Sequence, residues 1–314
     1  MSCKKTSIGG QALIEGIMMR GPKRSVMAVR KKDGTIDISE REVKSLKEKY
    51  PILKLPIIRG VAGFIESMTV GYKAMMDSAE ISGYLDEEEL ASENEKKDNS
   101  KLMTVLMIVA TVLAVILSIG LFIYLPSLAF KGVNYLAGGV LSDFQSLFEG
   151  ILKITIFLGY MLAVSLMKDI DRVFRYHGAE HKTIFCYEAG EELTVENVRS
   201  KGRFHPRCGT SFMILMLIVS IFVTFILDAI VPFLKEVLWL RTIIKLLLVP
   251  LICGIGYELI KVCGKHDNIV TRIIAAPGLW IQRITVKEPD DSMIEIAIAA
   301  MNEVIPENEE EDKW

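Results

Sequence analysis

Four long apolar blocks set the pattern of this chain. Leu102 to about Leu125 contains no charged residue and is long enough to cross the hydrocarbon core of a bilayer. Three more blocks follow, at about Leu147–Met167, Phe212–Val231 and Thr242–Ile260. Each predicts a membrane-spanning helix. The connections alternate in charge. The segments at 126–146 and 232–241 carry few ionisable groups. The segment between the second and third blocks carries Lys168, Arg172, Arg175, Lys182, Arg199, Lys201, Arg203 and Arg207. Basic residues collect on the cytoplasmic side, which predicts a multi-pass protein of the cell membrane with that segment and both termini in the cytoplasm. Asp228 and Lys245, in the third and fourth blocks, are expected at similar depth and hence as an ion pair.

The flanks read differently. Ser25–Arg30 and 35–39 alternate around Asp33-Gly34, as in a β-hairpin. The glycine-dense run 8–22 matches neither a dinucleotide nor a P-loop fingerprint. It predicts tight backbone packing with a turn at Gly21-Pro22, or else Gln11, Glu15 and Arg20 turned toward a site. Over 57–84, Arg59, Glu66, Lys73 and Glu80 recur every seventh residue on an otherwise apolar helix. Such a helix lies in the membrane interface or is covered by protein. Residues 274–280 read as a turn and 282–286 as a short strand. Asp290 or Asp291 caps an amphipathic helix ending at Val304, and 306–314 reads as a loose acidic tail. The chain thus divides into a cytoplasmic N-terminal part (1–84), a charged linker (85–101), a four-span membrane domain (102–260) and a cytoplasmic tail (261–314). The fold class is an α-helical integral membrane protein. Its small cytoplasmic α+β part is built from the N-terminal segment, the middle loop and the tail.

Composition agrees. Of 314 residues, 51% are hydrophobic and the formal net charge is −2, so nucleic acid is not an expected partner. The expected partners are the lipid bilayer and another membrane protein. The five cysteines lack paired spacing, which argues against a disulfide framework. No apolar run follows Lys4-Lys5, so no cleavable signal peptide is expected.

The candidate chemistry sits in the middle loop, 168–211. Three of the four histidines fall there. His177 and His181 are four residues apart, so on a helix both imidazoles share a face, with Glu180 about 60° from His177 on the same side. This is the H-x-x-E-H spelling of some zinc hydrolases. His205 and Cys208, spaced H-x-x-C, suit two further ligands. The predicted cofactor is a divalent metal, with Zn²⁺ the first choice for imidazole and thiolate. If His177, His181, His205 and Cys208 all ligate, the site is closed and structural. If three ligate, a position is open, and Glu180 is the general base with Arg175 and Arg207 as oxyanion or phosphate stabilisers. Glu188, Glu191, Glu192 and Glu258 are alternate ligands. The two functions that follow are a metal-dependent hydrolase acting on a membrane-associated peptide or lipid, and a non-enzymatic membrane-protein assembly factor with structural zinc.

The stretches GGQALIEGIMMRGP (9–22), PIIRG (56–60), RYHGAEHKTI (175–184), HPRCGTSF (205–212) and QRITVKEPDD (282–291) resemble the YqhQ-like family of bacterial membrane proteins, a domain of unknown function. The resemblance covers nearly the whole chain. It implies a multi-span membrane protein with His177, Glu180, His181, His205 and Cys208 at its centre, described as a metal-dependent enzyme. It supplies no substrate.

Overall fold

A computed structural model of the protein describes residues 5–41, 50–84, 100–266 and 268–312. The charged linker expected at 85–101 lies almost wholly outside the described residues. The chain opens with four antiparallel strands in sequence order: β1 (Gly9–Leu13), β2 (Gly16–Arg20), β3 (Ser25–Arg30) and β4 (Ile36–Arg41). The hairpin read around Asp33-Gly34 is β3–β4. The glycine-dense run is a second hairpin, with Leu13 opposite Gly16 and Gly9 opposite Arg20.

Glu15 takes φ 51° at the tip of that hairpin. An L side chain there is uncommon. Arg172 holds its carboxylate through two bonds, and the Tyr176 hydroxyl donates to it at 3.2 Å. The hairpin tip is thereby fastened to a helix more than 150 residues later.

The helices are α1 (Ile58–Ile81), α2 (Ser100–Ile119), α3 (Leu125–Leu136), α4 (Gln145–Ser165), α5 (Lys168–Glu188), α6 (Val195–Arg199), α7 (Gly209–Ile230), α8 (Leu238–Leu247), α9 (Val249–Lys265), α10 (Ile269–Thr285) and α11 (Asp291–Val304). Among the described residues, three helical stretches are long and apolar enough to cross a membrane: Ile108–Leu136, Ser142–Ser165 and Gly209–Ile230. α8 and α9, bent by 44°, make a fourth candidate if the pair is taken as one span. Pro250, in the first turn of α9, accounts for the bend, since it has no N–H and its ring clashes with the preceding turn. The first apolar helix runs past the expected end near Leu125. A π-turn over Gly120–Tyr124 carries it into α3.

The sheet lies between helices. Ile8, Ala12, Ile17, Met19, Val26 and Ala28 pack on α5 and α11. Leu13, Met18, Met27 and Val29 pack on Ala74 of α1. α1 turns both kinds of residue to protein: Val70, Ala74 and Met75 pack on the sheet, while Lys73 and Glu80 of the charged stripe are exposed. Three charges near its polar stripe turn to protein: Arg59 to Glu258, Glu66 to Arg20 at 3.0 Å, and Asp77 to Arg41 at 2.7 Å. Ile65, Met68, Tyr72 and Met76 are exposed.

Three other expectations need correction. The segment 274–285 is helical, because α10 runs from a capping box at Asn268 and Thr271 through Pro277 to Thr285. The acidic tail is tied down at its end. Asp312 is fully buried and accepts from the Thr6 hydroxyl at 2.5 Å and from Tyr187 at 2.9 Å. Asp228 pairs with Arg241 at 2.7 Å rather than with Lys245, which pairs with Glu149 at 2.5 Å. By contrast, α11 is capped by Asp290, whose side chain accepts from the Met293 amide at 3.0 Å, and it ends at Val304 as read.

One close approach sets how α5 sits. A Cβ on Gly178 would overlap the Lys287 carbonyl oxygen, which is backbone and cannot rotate away. We expect Gly178→Ala to push α5 off the 286–289 segment and destabilise the protein by about 1–3 kcal/mol, the usual range for overpacking. A lowered unfolding midpoint in detergent checks this; an unchanged midpoint contradicts it.

Candidate metal centre

Two residues, Leu166 and Met167, separate α5 from the end of α4, so α5 extends from one end of the apolar bundle. Its Tyr176–Glu188 half is largely buried under the sheet. His177 and His181 lie on this helix, as the spacing predicts, with ring centroids 4.4 Å apart. Cys208 stands in the extended residue before α7. Together His177, His181 and Cys208 place one ligand atom each within 4.8 Å of one another. His177 Nε2 lies 3.2 Å from Cys208 Sγ. Two such ligands on one tetrahedral zinc stand about 3.6 Å apart, given Zn–S near 2.3 Å and Zn–N near 2.05 Å.

The far ring nitrogens are already engaged. His177 Nδ1 donates to the Thr285 carbonyl at 3.0 Å, and His181 Nδ1 to the Arg203 carbonyl at 2.6 Å. Both bonds favour the tautomer that leaves Nε2 with its lone pair, the arrangement an outer shell imposes on ligating histidines. The donor set of two imidazoles and one thiolate suits Zn²⁺. Electrostatics favour the thiolate. Burial pushes the Cys208 thiol up, but His177 and His181 overcome it and hold the thiol well below its usual value. Burial likewise opposes the His177 cation, and the Cys208 thiolate with Glu180 raises it to about 9 all the same.

Glu180 is buried beside this group, with one carboxylate oxygen 3.9 Å from His177 Nε2. Burial pushes its carboxyl up, against the pull of His181, His177 and the Gly10 amide. Gly10 makes room for it: a Cβ there would stand 2.7 Å from Glu180 Cγ. Gly10 therefore serves the site although Gln11, Glu15 and Arg20 do not; those three bond to Gly71, Arg172 and Glu66.

His205 stands outside the three-ligand group. Its ring lies against His181 and Phe185, at centroid distances of 5.5 and 4.7 Å. Its Nδ1 accepts from the Arg207 amide at 3.4 Å, and its Nε2 lies 3.3 Å from the Arg207 guanidinium and 3.8 Å from Glu188. Arg207 also binds Glu188 and the Thr6 carbonyl. Glu188 accepts from the Thr6 amide at 2.9 Å as well. Burial opposes its charge, yet His205 and Arg207 keep its carboxyl below the usual range. Glu258 anchors Arg59 and the Ile57 amide. Glu191 pairs with Lys201.

Gln282, unnoticed in the sequence, holds the His205 turn by both its backbone groups. The His205 amide donates to Gln282 Oε1, and Gln282 Nε2 donates to the His205 carbonyl, each at 2.7 Å. Gln282 and Thr285 are three apart on α10, one buried polar edge facing the site. Reading 282–286 as a strand hid that edge. The resulting cavity, about 110 Å³, is lined by Ile8, Gly9, Gly10, Glu180, Arg207 and the ligand set.

Residues 55–307 match the family model described as a protein of unknown function, DUF1385. The chain is 36% identical over 300 residues to the uncharacterized protein YqhQ of Bacillus subtilis (strain 168), covering 95% of this chain and 92% of that one. No solved structure matches it significantly. A family match of this extent, together with a full-length relative, means that the chain belongs to the DUF1385 family of proteins of unknown function.

Proposed function

We propose that this protein is an integral membrane hydrolase, with four spans, cytoplasmic termini and one Zn²⁺ held by His177, His181 and Cys208 at the cytoplasmic ends of α4 and α7. Its substrate is a membrane-associated peptide or lipid. The observation that carries the reading is a three-ligand group with a buried carboxylate beside it. Structural zinc sites fill four positions with protein, whereas hydrolytic ones keep one open. The engagement of both His205 nitrogens by Arg207 and Glu188 supports three ligands over four. When bound, the ion supplies Lewis acidity and lowers the pKa of a coordinated water toward neutrality. Glu180 takes and returns the proton in this reading. Arg207, already on the cavity wall, faces the oxygen that gains charge.

The rival, an assembly factor with structural zinc, draws on the exposed apolar face of α1, which suits a protein partner. Metal analysis of protein purified in detergent without added metal tests the common part. We expect about one zinc per chain. His181→Ala should weaken binding by more than the roughly 10–100-fold that an outer-shell partner contributes. Wild-type protein free of any transition metal would overturn both readings. Hydrolysis of a peptide or lipid by the zinc form separates them.

A further inference from the structure

The chain enters α1 through a tight apolar turn, and that turn lies beside α9. A Cβ on Gly254 of α9 would overlap Ile57, and one on Gly60 of α1 would stand 2.6 Å from Tyr257 Cβ. Gly256, two residues nearer the Lys265 end of α9, would bring a Cβ to 3.2 Å from both Phe212 and Met216 of α7. Phe64, further along α1, meets Phe212 with ring centroids 5.7 Å apart. These contacts set the level of the turn. Met216 is seven residues, or about 10 Å, past the first residue of α7, a helix about 33 Å long. Ile57 thus stands about 10 Å inside the bundle, measured from the start of α7. A hydrocarbon core is about 30 Å thick. With α7 as a span, the turn is at acyl-chain depth in the cytoplasmic leaflet.

Two features of the turn suit that depth. Leu55, Pro56, Ile57 and Ile58 are all exposed and none carries a charge. The main chain from Leu55 to Ile57 is also fully paired. The Leu55 amide donates to the Ile52 carbonyl at 3.2 Å, the Ile57 amide to the Glu258 carboxylate at 3.3 Å, and Pro56 has no N–H. The carbonyls of Leu55, Pro56 and Ile57 accept from the amides of Arg59, Ile58 and Gly60 at 2.9, 2.8 and 3.0 Å. Ile57 takes φ 69° to make the turn, uncommon for a β-branched residue. Hydrocarbon offers the backbone no hydrogen-bond partner, so a chain at that depth must satisfy its own groups. Arg59 and Glu258 flank the turn and neutralise each other through two bonds. Lys54, exposed just before it, has the reach to bring its ammonium to the headgroups.

We propose that the Leu55–Ile58 turn is inserted among the acyl chains of the cytoplasmic leaflet, beside α9, and anchors α1 and the sheet to the membrane surface. The occupant of this apolar face is phospholipid. The proposal rests on the membrane part of the function proposed above and needs neither zinc nor hydrolysis. The turn continues the apolar surface that α7 exposes at Phe222, Phe225 and Ile226. From there α1 leads away to the sheet, where Gly71 lies against Gln11 and Ala74 packs with Leu13, Met18, Met27 and Val29.

The test puts the photoreactive residue p-benzoylphenylalanine at one position at a time in the full chain, reconstituted into vesicles of phosphatidylcholine and phosphatidylglycerol. Leu55 and Ile58 report on the turn, Phe222 of α7 is the lipid reference, and Ile38 of β4 is the water reference. All four are exposed, so the larger ring displaces no packed neighbour. On irradiation the excited ketone takes a hydrogen from a nearby C–H and the two carbons join. An acyl chain beside the residue therefore leaves a mass gain of one whole phospholipid, read on the intact protein by mass spectrometry. The expected result is that gain at Leu55, Ile58 and Phe222 and none at Ile38. A gain at Phe222 with none at Leu55 and Ile58 overturns the anchor and leaves the spans standing. So does a cross-linked dimer in place of the lipid adduct at the turn, or a gain at Ile38 equal to that at Ile58. No gain at Phe222 or at the turn removes the membrane reading and the anchor with it.

Discussion

Glu180→Gln is expected to leave zinc content at the wild-type level and to lower hydrolytic turnover by about 10²–10⁴-fold, the range a general acid–base contributes. The two side chains have the same shape, so the glutamine fits the space that Gly10 opens. Packing of α5 on β1 is kept, and so are the bonds from His177 and His181 to the carbonyls of Thr285 and Arg203. What is lost is an oxygen that can take a proton 3.9 Å from His177 Nε2. The Glu180 carboxylate faces the two histidines, Cys208 and the Gly10 amide, which a glutamine oxygen can face as well. The structural-zinc rival expects a near-silent substitution. Zinc analysis beside turnover on a cleaved substrate separates the two: retained zinc with retained turnover removes Glu180 from the mechanism.

The part of this site that is local in sequence was legible, and the part assembled from distant backbone was not. His177 and His181 announce themselves because four residues on a helix make one face, and no other segment is needed to know that. Cys208 follows from its proximity to His205. The carbonyls of Thr285 and Arg203 carry no side-chain signature, and Gly10 contributes only the absence of a Cβ. The same division runs through the fold. β4 alternates between exposed and half-buried positions, and its hairpin with β3 could be read. Four of the five residues of β2 are buried because both faces of the sheet are covered, so its alternation is erased. α10 was misread for a different reason. Pro277-Gly278 looks like a stop, but Gly278 sits where α10 crosses Ser211 of α7 so closely that a Cβ would meet Ser211 Cβ at 2.5 Å. The glycine marks a helix crossing, and the helix continues through it.

Arg241→Met should destabilise the bundle by about 3–5 kcal/mol, the cost of leaving buried charges without their partner. Arg241 is 1% exposed and bridges three helices. It reaches Glu149 of α4 through one terminal nitrogen and Asp228 of α7 through Nη2 at 2.7 Å and Nε at 3.2 Å. Lys245, one turn further along α8, supplies the second cation to Glu149, and Ser127 and Gln145 add bonds to the same carboxylate at 2.8 and 2.9 Å. Methionine fills much of the volume of arginine, so the expected loss is electrostatic: Asp228 loses the ion pair it makes with Arg241, while Glu149 keeps Lys245. Adding Asp228→Leu to Arg241→Met should recover part of the loss, since it removes one stranded charge; a double variant weaker than Arg241→Met alone would sink the account. Glu149 and Ser165 mark opposite ends of α4, 16 residues or about 24 Å apart on a helix. The His177, His181 and Cys208 group stands beyond the Ser165 end. Thermal unfolding in detergent should therefore shift downward while the zinc content of the folded fraction stays at the wild-type value. Parallel loss of zinc from folded protein would mean that the two ends of the bundle are coupled.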